Sequence, residues 1–191
     1  LSTHRSPFFA QAVEMLGDCD GPASVPGTSR RFAVEDAAYL NGIAAQAMLY
    51  SDYCARFDPT ATILPALLAL AQTAGRPISG AELVTSYLAG FDLAAALAQH
   101  SVRDDADRAF VGTAVLGLIA ATAAGARLLG LDADGMARAL CIVASCVGGV
   151  RANEDTAYQG VHAGRSARNA VRSVMLASRG FTSIRSVFEQ P

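Results

Sequence analysis

His162 stands between Gly160 and Gly164 in the segment 156–181, TAYQGVHAGRSARNAVRSVMLASRGF, and Arg165, Arg168 and Arg172 follow it. Offsets of three and seven residues stack these guanidinium groups along one side of a helix. Ala167, Val171, Val174, Met175 and Ala177 fall on the other side as a core face. The pattern predicts a loop that delivers a titratable imidazole onto the first turn of a long helix. Free N–H groups at the helix start and a cationic stripe beside them are the parts of an anion-handling site. The same residues also fit a plainer arrangement, an amphipathic helix with a solvated arginine face and a capping loop.

The elements that must hold this segment read as helices. Ser6 and Pro7 open one over FFAQAVEML, which Gly17 ends. Residues 17–32 are turn-rich, with one extended piece at 23–25. Glu35 and Asp36 suit the first turn of a second helix, which carries Ala37, Leu40, Ile43, Ala44, Ala47 and Met48 at helical spacing. Residues 50–60 break that helix, and Asp58-Pro59 signals a third over 61–73 with Pro65 in its first turn. Ser79 and Glu82 form a capping box ahead of a long helix over 80–99. Residues 101–108 are a polar link.

The stretch 109–126 has no charged residue and just reaches the length of a membrane span. Its wealth of Ala, Gly and Thr fits better a central helix buried on all sides of a bundle. Asp132 caps the next helix, which ends at Gly148-Gly149. The reading is all-α: a single domain over 1–191, with an N-terminal helix and loop over 1–32 and a helical core over 33–191. The helices 109–129 and 134–146 are expected at its centre.

Composition narrows the chemistry. Hydrophobic residues at 52% against 17% charged ones supply a core and argue against disorder. A net charge of −2 argues against a nucleic-acid partner. All 15 basic residues are arginine, which removes lysine Schiff bases and lysine general bases within these residues. Cys19, Cys54, Cys141 and Cys146 form no CxxC pair and read as free thiols in a reducing, cytoplasmic setting. His4, His100 and His162 lie far apart in sequence, so no metal or other cofactor is expected.

Five runs in order carry a further signal: DAAYLNGIAAQAM (36–48), DPTATILPALLALAQTAG (58–75), SGAELVTSYLAGFDL (79–93), GTAVLGLIAATAAGARLLGLD (112–132) and HAGRSARNAVRSVMLASRGFT (162–182). Together they resemble the 2-methylcitrate dehydratase family (MmgE/PrpD) from about residue 25 to residue 188. The resemblance implies an all-helical domain that dimerises and a smaller α+β lid domain, with the active site between them. This chain corresponds to the helical domain, so a lid would come from further residues or from another chain. Family members dehydrate, decarboxylate or epimerise small polycarboxylates. Their shared step is proton removal next to a carboxylate that cationic side chains hold.

Carried over residue by residue, the family's acidic D-x-D-D run falls on residues 49–52, so Leu49 replaces an acid and Asp52 survives. A family histidine falls on Asp58 and another on Val111, while Thr113 is kept. The family lysine falls on Gln159. His162, Gly164 and Arg165 keep the pattern. The implied site therefore has His162, Asp52 and Asp58 moving protons and Arg165 binding a carboxylate bidentately. Gln159, Tyr53, Thr113, Val111 and Leu49 would contact the substrate. Plainer roles stand beside these: Asp52 and Asp58 as helix caps, His162 bonding loop carbonyls, and Arg165 in a surface ion pair. Cys54 is near, but nothing marks it as activated.

The expected function is a diverged lyase or isomerase. It would use acid–base chemistry on a small organic acid or related biosynthetic intermediate, by a reaction other than the standard family one. The alternatives are a non-catalytic helical dimerisation or partner-binding scaffold, and a lidless cyclase or isomerase of natural-product biosynthesis. A homodimer is expected, with no nucleic acid and no membrane.

Overall fold

The computed structural model describes residues 6–17, 20–49, 51–54, 57–100 and 109–189. Cys19 and the polar link 101–108 lie outside the described residues. The first helix, α1 (Pro7–Leu16), has Pro7 at its first position, and Gly17 ends it by donating to the Glu14 carbonyl. The extended piece expected at 23–25 is a strand, β1 (Ala23–Ser24). It pairs antiparallel with β2 (Arg31–Phe32), setting Ala23 opposite Phe32 with both fully buried. The bundle follows: α2 (Val34–Gln46), α3 (Pro59–Ala71), α4 (Gly80–His100), α5 (Gly112–Leu128), α6 (Ala133–Ala144) and α7 (Gln159–Ser178). The fold is all-α, apart from this small hairpin.

Residues 116–126 of α5 are all buried, which is what a helix apolar all round requires of its surroundings. The stretch weighed as a membrane span is thus the axis of the bundle. By length and hydropathy α4 also reaches the span criterion, over Gly80–Gln99. It packs against α5 so closely that a Cβ on Gly90 would sit 2.2 Å from the Ala120 carbonyl oxygen. The helix over 133–144, expected at the centre, is peripheral. It buries only Gly135, Ala139, Cys141 and Val143, and its other residues, Asp134 and Arg138 among them, are exposed or half-buried. Its place is taken by α7, whose Ala163, Ala167, Ala170, Val171, Val174 and Ala177 are buried. Asp132 caps α6 as expected, accepting from Gly135 N–H at 2.7 Å. The third helix starts at Pro59, two residues before the expected point, so Pro65 lies in its interior rather than in the first turn.

The crossing of α2 and α7 sets the geometry of everything near His162. Gly42 of α2 faces Gly164 of α7, and a Cβ on Gly42 would lie 2.6 Å from the Gly164 Cα. A Cβ on Gly164 would lie 2.5 Å from the Tyr39 carbonyl oxygen. Gly164 sits inside α7, where it serves close approach. Arg168 and Arg172 then reach the first turn of α2, Arg168 pairing with Asp36 at 3.0 Å and Arg172 with Glu35 through two nitrogens at 2.9 and 2.5 Å.

Because backbone blocks the space, Gly164→Ala must push the two helices apart. A loss of about 1–3 kcal/mol is expected, read as a lower midpoint in thermal or denaturant unfolding. Gly80→Ala, with nothing within 4 Å of the added methyl, serves as the control. Equal midpoints for the two variants would rule out the crossing as a constraint.

Candidate active site

His162 lies in the first turn of α7 and is 2% exposed. Neither Nδ1 nor Nε2 has a hydrogen-bond partner. The ring packs edge-on to Tyr158, with centroids 5.3 Å apart. Its other neighbour is Gly149, whose φ of +117° suits glycine. A Cβ there would stand 2.4 Å from the Ala114 Cβ and 3.2 Å from His162 Nδ1. Ala114 and the backbone conformation require the glycine, and the imidazole lies against it. Val111, at the N-cap of α5, fixes that loop by donating its N–H to the Gly149 carbonyl at 2.9 Å. Burial, and then the charge of Arg165, push the His162 pKa below 6.5. The ring is therefore neutral at neutral pH, with one nitrogen able to donate and the other to accept.

Asp58 occupies the N-cap position of α3, yet its side chain makes no capping bond. The carboxylate turns inward to three donors. Gln46 Nε2 and Thr113 Oγ1 each reach Oδ2 at 2.9 Å, and Ser51 Oγ reaches Oδ1 at 2.8 Å. The Asp58 N–H also donates to Thr113 Oγ1 at 3.1 Å. Capping passes to Asp52, which accepts from Thr60 N–H at 3.1 Å and Thr60 Oγ1 at 2.8 Å, with Tyr87 OH at 3.3 Å. Of the two acids expected either to move protons or to cap, Asp58 faces the cavity and Asp52 is the cap.

A polar cavity of about 120 Å³ brings together Tyr53, Asp58, Val111, Thr113, Gln159 and His162. It does not include three residues expected there. Asp52 is tied to Thr60. Leu49 lines a separate cavity beside Phe8 and Ile43. Arg165 lies over Gly148, where an added Cβ would stand 2.6 Å from its Nη2, so it acts on His162 by charge rather than from the cavity wall.

Three further residues of the wall were not singled out in the sequence: Gln46, Arg151 and Glu154. Arg151 Nη1 pairs with Glu154 at 3.1 Å, and its Nη2 donates to the Phe110 carbonyl at 3.2 Å. Their spacing of three residues just ahead of the histidine segment was a usable signal. Gln46, 4% exposed at the end of α2, gave none. Cys54 is a half-buried free thiol outside the cavity wall. Among the described residues, no three His, Cys, Asp or Glu side chains are grouped to hold a metal ion.

This wall can move a proton through a neutral imidazole and hold a carboxylate with Arg151 or an amide. The family profile described as the MmgE/PrpD N-terminal domain matches residues 1–191. The chain belongs to the MmgE/PrpD family. It is 30% identical to a cis-aconitate decarboxylase-like protein, oryM, of Aspergillus oryzae over 96% of its length. It is 28% identical to the cis-aconitate decarboxylase of Homo sapiens over 80% of its length. It spans 40% of the fungal relative and 33% of the human one. Within this family domain the described residues form a polar wall that includes the buried His162.

The depressed His162 pKa fixes a pH dependence. An unfolded chain takes up this proton near 6.5, whereas the folded chain resists it to lower pH. Between those two values the unfolded state binds more protons, so stability falls as pH drops through 6.5 and is unaffected by this group above it. In His162→Gln this share of the acid sensitivity is absent. Denaturant midpoints at pH 5 and pH 7.5 measure it; an identical acid loss in wild type and variant would contradict the burial argument.

Proposed function

We propose that this domain forms the helical side of the active site of a lyase that acts on a small organic acid. The observation that carries this reading is the buried His162, both nitrogens unpartnered, in one cavity wall with Asp58. A neutral imidazole next to the cavity accepts a proton from a carbon adjacent to a carboxylate. The negative charge of Asp58 favours the imidazolium once formed, as three donors hold that carboxylate in place. Arg151 and Gln159 offer hydrogen bonds to the carboxylates of the substrate, while Thr113 donates its one hydroxyl proton to Asp58. Arg165 keeps the imidazole neutral before reaction, because a second cation nearby disfavours protonation.

The relationship to cis-aconitate decarboxylases supports loss of carbon dioxide as the net reaction, and the family resemblance adds loss of water as a second. In dehydration the proton taken by His162 passes to the leaving hydroxyl; in decarboxylation the carbon that loses carbon dioxide keeps the electron pair and takes a proton, which the imidazole draws from solvent and delivers. Tyr53, 72% exposed, and Arg151 stand on the open side of the cavity. We assign closure of that side to the remainder of the polypeptide or to a partner chain, and place the enzyme in the cytoplasm as a homodimer.

The test incubates the full-length protein with cis-aconitate, citrate and 2-methylcitrate in deuterated water. Proton NMR follows product formation and deuterium incorporation at the carbon beside the carboxylate. His162→Asn should lower turnover by about 10²–10⁴-fold, the usual contribution of a general acid–base group. Asp58→Asn should lower it by about tenfold or more, through loss of the charge that favours the imidazolium. Unchanged turnover in both variants would sink the assignment.

A further inference from the structure

Beside the polar cavity lies a second one of about 260 Å³, more than twice its 120 Å³. Its wall is largely apolar, with Phe8, Phe9, Ile43, Ala47 and Leu49, and Gln46 and Gln159 line both cavities. Gln46 stands at the junction with Nε2 on Asp58 and with its buried Oε1 unpartnered.

Leu49 adds an independent observation. Its φ is +54°, and it is the one non-glycine residue with positive φ among the described residues. It follows the end of α2, where its N–H donates to the Gln46 carbonyl at 3.0 Å. Glycine or asparagine is usual in that conformation, and a branched side chain is strained there. The Leu49 side chain is 55% exposed, so core burial does not offset the strain. What the conformation achieves is a leucine at the rim of the apolar cavity.

We propose that the substrate is amphipathic: its acid head occupies the polar cavity, and a hydrocarbon chain of several carbons lies between Phe8, Ile43 and Leu49. This rests on the acid–base reading of the polar cavity. The head meets His162 and Asp58 across from Arg151. The chain passes Gln46 and Gln159, and the unpartnered Gln46 Oε1 accepts from a hydroxyl or amide N–H at the junction of head and chain. Small acids without a chain leave the larger cavity to water.

Calorimetric titration of the full-length protein with succinate, 2-butylsuccinate and 2-octylsuccinate tests this. In wild type, affinity should rise by about fourfold per methylene until the cavity is full. Leu49→Gly should melt no lower than wild type, because the strain goes, while the gain per methylene shrinks. Ala47→Phe fills the cavity and should abolish the preference for 2-octylsuccinate over succinate. A flat series in wild type with succinate still bound overturns the chain assignment and leaves the acid head standing. An equal gain in all three proteins marks unspecific partitioning and overturns it as well. Failure of all three acids to bind, together with unchanged turnover in the His162 and Asp58 variants, overturns the acid-head reading on which the proposal rests.

Discussion

Backbone contact between α2 and α7 is the constraint from which the rest of the site follows. Two helices with ordinary side chains stand 8–10 Å apart. Gly42 against Gly164 lets them meet at the backbone itself. One turn beyond Gly42 along α2 is Gln46, and half a turn before Gly164 along α7 is His162. The crossing therefore carries the end of one helix to the start of the other, and the polar cavity opens where they meet. Gly160 continues the contact, its missing Cβ lying 3.4 Å from the Ile43 carbonyl oxygen. A side chain at Gly42 or Gly164 would push against backbone and widen the gap.

The same crossing sorts the charges. Arg165, Arg168 and Arg172 present a stripe, but α2 brings Asp36 and Glu35 to two of them. Acids that favour the start of α2 through its dipole also neutralise the outer part of the stripe. Arg165 has no acidic partner among the described residues. Its charge acts on the buried imidazole of His162. The stripe is thus two structural cations and one electrostatic one.

Much of this was legible in the sequence. Helix starts at Pro7, Ser79 and Asp132 follow from local capping chemistry, and the apolar stretch 109–126 follows from its composition. The cluster of His162, Gln159, Asp58, Thr113, Val111 and Tyr53 in one wall was expected from family resemblance. What failed depended on distances between elements. Asp52 and Asp58 sit six residues apart with the same functional group, and only the position of Thr60 and Thr113 decides which one caps and which faces the cavity. Leu49 moved to the apolar cavity because a left-handed residue after α2 redirects its side chain, a turn that Leu itself does not signal. Gln46 carried no signal because a glutamine at the end of a helix is ordinarily solvated. Burial by the α2–α7 crossing is what gives it a role.

The cavity holds buried groups that the fold leaves unsatisfied: both nitrogens of His162 and the Oε1 of Gln46. An unmade hydrogen bond of this kind costs about 1–3 kcal/mol, and a domain's whole stability is about 5–15 kcal/mol. Phenylalanine at 162 and leucine at 46 would remove the cost and fill much of the same space. The neighbours argue against such an exchange. Gly149 is kept free of a side chain where the imidazole lies, and the Gln46 amide is fixed on Asp58. Satisfying partners must then come from the cavity itself, as water in the resting protein and as substrate in the working one.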